Sequence, residues 1–105
     1  MKAPDSMRIG IGMDVHPLKE DNPLIVGGVV IPAPLGSQGH SDGDALIHAI
    51  VDALLGAAGL GDIGSYFPST DDKWKNARST HFLKDCVQKI MNAGWKIENI
   101  DTIVI

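Results

Sequence analysis

Gly39-His40-Ser41-Asp42-Gly43-Asp44 leads directly into Ala45-Leu46-Ile47-His48-Ala49-Ile50-Val51-Asp52-Ala53-Leu54-Leu55. A polar, glycine-punctuated loop thus becomes an almost wholly apolar run. The run is predicted as a helix from about Asp42–Asp44 to Ala58, with an aspartate capping its first free N–H groups and Gly59 and Gly61 as stop signals. Its apolar residues go nearly all the way round, so it is expected to be buried on most sides, partly by another subunit. His48 sits one turn inside it, where a packing helix has no need of an imidazole.

Working back toward the N-terminus, residues 7–16 alternate. Met7, Ile9, Ile11, Met13 and Val15 fall on one side; Arg8, Gly10, Gly12, Asp14 and His16 fall on the other. A period of two predicts a strand, and the apolar side is expected to face the core. Glycines on the opposite side mark a close approach and leave room there for something bulky. Pro17–Pro23 reads as a polar loop. Leu24-Ile25-Val26, Gly27-Gly28 and Val29-Val30-Ile31 predict a hairpin on a two-glycine turn, ended by Pro32, Pro34 and Gly36.

Toward the C-terminus, Gly61-Asp62-Ile63-Gly64 breaks the helix, and Ser65–Pro68 leads into a turn-rich loop, Ser69–Asp72. Phe82, Leu83, Cys86, Val87, Ile90 and Met91 recur at helical spacing, predicting a second helix from Ser79 to Ala93 with Ser79 as cap and Gly94 as stop. Trp95–Ile105 reads as a strand. Trp74, Phe82 and Trp95 are expected to be packing residues, and His81 a surface one.

Composition narrows the function classes. The 105 residues make at most one domain, spanning 1–105. A net charge of −4 with no Lys/Arg cluster argues against a nucleic-acid partner. The single cysteine, Cys86, excludes an internal disulfide framework. Met1–Ser6 reads as a loose polar tail with no signal-peptide core, and Ala45–Leu60 is interrupted by His48 and Asp52, so no membrane span is expected. A soluble protein of a reducing compartment is expected, most simply the cytoplasm.

Asp14-x-His16 places a carboxylate and an imidazole on one side of a strand. With His48 they make a two-histidine, one-carboxylate set of the kind that holds catalytic zinc with one position open. Spacing alone leaves a second reading open, in which Asp14 and His16 are polar strand-end residues and His48 is a hydrogen-bonded core histidine. His40 and Ser41 precede a helix N-terminus, where backbone N–H groups favour phosphate; the alternative is a helix cap with surplus polar residues. Asp44 and Asp52, one turn on either side of His48, are candidates for orienting it.

Taken in order, D-V-H (14–16), I-V-G-G-V-V-I-P (25–32), H-S-D-G-D (40–44) and H-A-I-V-D-A-L-L-G-A-A-G-L-G-D-I-G-S-Y-F-P-S-T-D (48–71) resemble the 2-C-methyl-D-erythritol 2,4-cyclodiphosphate synthase family. The resemblance runs from Met7 to Ile105. It implies an α/β subunit of two-layer α+β type, a mixed β-sheet with helices packed on one face, in a homotrimer with active sites between neighbours. It implies a phosphorus–oxygen lyase that turns 4-diphosphocytidyl-2-C-methyl-D-erythritol 2-phosphate into the cyclic diphosphate and CMP, a step of non-mevalonate isoprenoid biosynthesis. Zn²⁺ would be held by Asp14, His16 and His48, and a second ion, Mg²⁺ or Mn²⁺, by the substrate diphosphate. His40 matches the catalytic residue of the family. Asp14, His16, His40, Ser41, Asp62, Ile63, Gly64, Phe67, Pro68, Ser69, Thr70 and Asp71 match its substrate-binding segments.

Two departures stand out. Family members continue beyond the position of Ile105 into a cytidine-binding loop and a catalytic threonine, so the sequence is expected to be a fragment of a longer protein. Ser69 stands where many members carry aspartate. The rival functions are a zinc phosphohydrolase and a non-catalytic metal-binding or assembly module.

Overall fold

The computed structural model describes residues 6–105; apart from Ser6, the expected N-terminal tail lies outside the described residues. Two helices form the centre. Helix α1 (Ala45–Ala58) starts at Asp44, whose side chain accepts the Ile47 N–H, and stops at Gly59 in the left-handed conformation. Helix α3 (Ser79–Asn92) packs against it, with the short helix α2 (Ile63–Tyr66) and a 3₁₀ turn (Asp72–Trp74) between them in sequence. Ile47, Val51 and Leu55 recur every fourth residue on α1 and meet Phe82, Cys86 and Ile90 at the same spacing on α3. These six side chains are the buried hydrophobic core. Removing each large aliphatic or aromatic one from water contributes roughly 1.5–3 kcal/mol. Burial also pushes the Cys86 thiol up to about 11. Both predicted helices are thus present, and Gly56 is the one exposed residue of α1.

The expected hairpin is present as β2 (Leu24–Val26) paired antiparallel with β3 (Val29–Ile31), Val26 opposite Val29. Gly27 and Gly28 both take positive φ, +62° and +80°, which a two-residue turn of this twist requires. Their amides donate to the two oxygens of Asp44, at 3.0 and 2.7 Å. The fully buried Asp44 therefore pins the hairpin tip to the first turn of α1.

Several expectations are corrected. The mixed sheet is not present among the described residues, which hold two separate two-stranded antiparallel sheets. The second of these pairs β1 (Leu18–Glu20) with β4 (Leu35–Ser37), in segments read as loop and hairpin end. Gly36 makes the pairing possible, because a side chain there would overlap the Asn22 and Pro23 carbonyls. Residues 7–16 and 95–105 carry no strand ladder; a strand needs a neighbour to take its amides, and residues 7–16 lie instead against the flank of α1.

The orientation of that N-terminal segment is also the reverse of the expected one. A Cβ at Gly10 would overlap the Ala53 carbonyl and one at Gly12 the Ala49 carbonyl, so the glycine side is the side that touches α1. The bulky object above the glycines is the helix backbone itself. Met7, Ile9, Ile11, Met13 and Val15 point away and are 80–91% exposed. Finally, Ser79 is no cap: Arg78 holds that position without a side-chain bond, and Ser79 is the first residue of α3, fully buried.

Candidate metal centre

The close seating of Gly10 and Gly12 on α1 delivers the next two inward residues, Asp14 and His16, to the flank of the helix at His48. Asp14 Oδ2 lies 2.7 Å from His16 Nε2 and 3.2 Å from His48 Nδ1, and the two ring nitrogens are 3.3 Å apart. A tetrahedral zinc ion bonded at roughly 2.0–2.1 Å sets its ligand atoms about 3.4 Å apart, so two of the three separations already match. Asp14 Oδ2 is buried, yet neither neighbouring ring is aligned to donate a hydrogen bond to it. A buried carboxylate oxygen left in that condition needs a partner, and a cation fits. His16 Nδ1 faces the Gln38 carbonyl at 3.0 Å. A carbonyl only accepts, so this nitrogen carries the proton and Nε2 offers its lone pair to the group. The residues present therefore fit a divalent ion.

A cavity of about 230 Å³ opens beside the cluster, lined by His16, His40, Ser41, His48, Ile63, Gly64, Phe67, Ser69, Trp74 and Phe82. His40 Nε2 meets the Asp71 carbonyl at 2.9 Å, which ties the loop before α1 to the loop before the 3₁₀ turn. Ser41 Oγ lies 3.1 Å from His48 Nε2. The floor is aromatic: Phe67 stacks on Phe82 with ring centroids 4.4 Å apart, and Trp74 meets Phe82 edge-on at 5.7 Å.

The YgbB family model matches residues 7–105. The chain belongs to the YgbB family. Over 100 residues it is 57% identical to the 2-C-methyl-D-erythritol 2,4-cyclodiphosphate synthase of Acaryochloris marina, covering 95% of this chain and 62% of the relative. The Treponema denticola protein of the same name is 54% identical over 94% of this chain and 62% of its own length. A solved synthase structure superposes with a TM-score of 0.77 at 50% identity, over 83% of this chain and 58% of that one. The chain thus spans less than two thirds of the length of the curated relatives it matches.

Within this YgbB-family chain the segments singled out from sequence separate into three groups. Asp14, His16 and His48 converge on one point. His40, Ser41, Ile63, Gly64, Phe67 and Ser69 reach the adjoining cavity together with His16. Asp62, Pro68, Thr70 and Asp71 do not line it. Asp62 caps α2 by accepting from the Ser65 hydroxyl and N–H, and these bonds hold its carboxyl below the usual range. Asp71 caps the 3₁₀ turn through the Lys73 N–H.

The carboxylates expected to orient the His48 ring make no hydrogen bond to it. Asp44 is committed to the hairpin amides and the Ile47 N–H, and Asp52 accepts from the Ile63 N–H at 2.8 Å. Helical spacing put both carboxylates one turn from His48, but each had unpaired backbone amides closer at hand. Beside Ser41, the residue that meets the Nε2 side of the ring is Ser79, whose Oγ lies 2.7 Å from that nitrogen. It is 31 residues away in sequence, and its local signal was that of a helix cap.

Proposed function

We propose that the protein acts as a 2-C-methyl-D-erythritol 2,4-cyclodiphosphate synthase, a phosphorus–oxygen lyase of isoprenoid biosynthesis. Its substrate is 4-diphosphocytidyl-2-C-methyl-D-erythritol 2-phosphate and its products are the cyclic diphosphate and CMP. The convergence of Asp14 Oδ2, His16 Nε2 and His48 Nδ1 at the edge of a polar-rimmed cavity carries this reading, in a chain whose relatives bear that name. A second solved synthase structure is described as a CDP-bound form, which supports a cytidine diphosphate ligand.

The reaction is internal to the substrate. An oxygen of the 2-phosphate bonds to the β-phosphorus, the bond from that phosphorus to the bridging oxygen breaks, and CMP departs. No protein nucleophile is required, so the chain's work is to hold the two phosphates in line and to meet their charge. A divalent ion held by Asp14, His16 and His48, zinc in this reading, supplies Lewis-acid polarisation of a phosphoryl oxygen when bound. Ser41 stands on the cavity rim as a hydroxyl donor to the phosphate oxygens, and His40, the catalytic residue in this reading, lines the same rim with its Nε2 tied to the Asp71 carbonyl. Ile63, Gly64, Phe67 and Ser69 shape the wall against the methylerythritol part. Asp62, Pro68, Thr70 and Asp71 complete the substrate-binding segments by holding that wall in place. A second ion, Mg²⁺ or Mn²⁺, travels with the diphosphate. The working unit is a homotrimer in the cytoplasm, with neighbours contributing to each site.

Product analysis with the diphosphocytidyl substrate tests this. The cyclic diphosphate and CMP are expected; linear phosphates indicate a zinc phosphohydrolase, and no turnover indicates a metal-binding module. His48→Ala is expected to lose bound metal and turnover together, and full metal occupancy in that variant contradicts the ligand set.

A further inference from the structure

Ser79 and Asp42 are the two polar side chains near the cluster that neither face the cavity nor approach Asp14. Ser79 is fully buried at the start of α3. Its Oγ lies 2.5 Å from Asp42 Oδ1 and 2.7 Å from His48 Nε2. Asp42 accepts from every side: the Ser79 N–H at 2.9 Å on Oδ2, and the Asp44 N–H at 3.1 Å on Oδ1 together with the Ser79 hydroxyl. A carboxylate so placed is an acceptor only, and a serine hydroxyl has a single proton to give. That proton goes to Asp42. Toward His48 the Ser79 oxygen can then only accept, and the Ser41 hydroxyl, 3.1 Å from the same nitrogen, is able to accept as well, so the ring carries its proton on Nε2. The lone pair is left on Nδ1, the nitrogen that faces Asp14 Oδ2 and His16 Nε2.

We propose that Ser79, backed by Asp42, is a positioning pair that fixes the tautomer and the rotation of His48 and thereby sets the strength of the metal site. Neither residue belongs to the Asp14–His16–His48 group or lines the cavity. The pair does for His48 what the Gln38 carbonyl does for His16, and it does so through a hydroxyl drawn from another helix. Outer partners of this kind typically change metal affinity by about 10–100-fold. The proposal rests on the metal-binding reading above, and the experiment separates the two.

Zinc affinity is measured at fixed pH by competition with a chromophoric chelator in the wild type, Ser79→Ala and Ser79→Thr. The imidazole nitrogens of histidine-labelled protein are followed by NMR in the metal-free and zinc-loaded states. Ser79→Ala is expected to bind zinc about 10–100-fold more weakly and to move the His48 ring signals, while Ser79→Thr, which keeps the hydroxyl, restores both. Asp42→Asn is expected to move the same ring signals, because an amide can present an N–H where the carboxylate accepted. Unchanged affinity and unchanged ring signals in Ser79→Ala overturn the proposal. So does a lower melting temperature with unchanged ring signals, which would make Ser79 a joint between the helices and nothing more. If the wild type takes up no zinc, the metal-binding reading falls, and the ring signals of the metal-free protein decide the positioning pair by themselves.

Discussion

The helix pair α1/α3 and the two extended segments, residues 7–16 and 95–105, are both rich in apolar residues, but only the first holds fully buried apolar side chains. The helices satisfy their backbone groups internally, and the stripes they turn to each other form the core. The extended segments have no ladder partner and turn Ile9, Ile11 and Ile103 outward, each at least 86% exposed. Extended backbone is not self-sufficient: both its amides and its second face wait on a neighbour. The candidate metal centre lies on the seam between the two kinds of structure, with His48 from the self-sufficient part and Asp14 and His16 from the dependent one.

The comparison breaks most visibly at Leu55. This fully buried residue has α3 across from it, and Leu55→Ala is expected to lower unfolding free energy by about 2–5 kcal/mol in denaturant titration. A loss under about 1 kcal/mol, the range of an average substitution, would show that the helix pair is not where stability is concentrated. Gly12→Val tests the seam. Its Cβ would drive into the Ala49 carbonyl, so a loss of about 1–3 kcal/mol is expected, together with weaker zinc uptake as Asp14 and His16 are displaced. Full zinc affinity in that variant would mean the segment is not held by its glycines. Ile11→Thr, on the outward face, is expected to change stability by less than about 0.5 kcal/mol in the monomeric chain. A cost as large as that of Leu55→Ala would show that something covers this face in solution.

The legible parts of the sequence were those whose signal is local. Gly27-Gly28 between β-branched triplets specified a hairpin, and Asp44 with Gly59 bounded α1, because turns and caps are decided by a few adjacent residues. Alternation in residues 7–16 was legible too, but not which side is covered. Periodicity reports two faces, and only the helix backbone seated on Gly10 and Gly12 says which is inner. Strands β1 and β4 carry no local signal, because Leu18-Lys19-Glu20 and Leu35-Gly36-Ser37 are three residues each with no β-branched side chain among them. At the candidate centre, Asp14, His16 and His48 announced themselves by residue type. Ser79 and Asp42 did not, since a serine before a helix and an aspartate in a loop look the same whether they cap backbone or reach across the molecule for an imidazole.

The Asp44 pin has a practical side. A hairpin tip is ordinarily a permissive place to splice in a tag or a reporter, because its amides face water. Here both tip amides are taken by one interior carboxylate, so lengthening the turn would withdraw the anchor of α1 a single residue ahead of the helix. Anyone grafting a label onto this protein should look elsewhere on its surface.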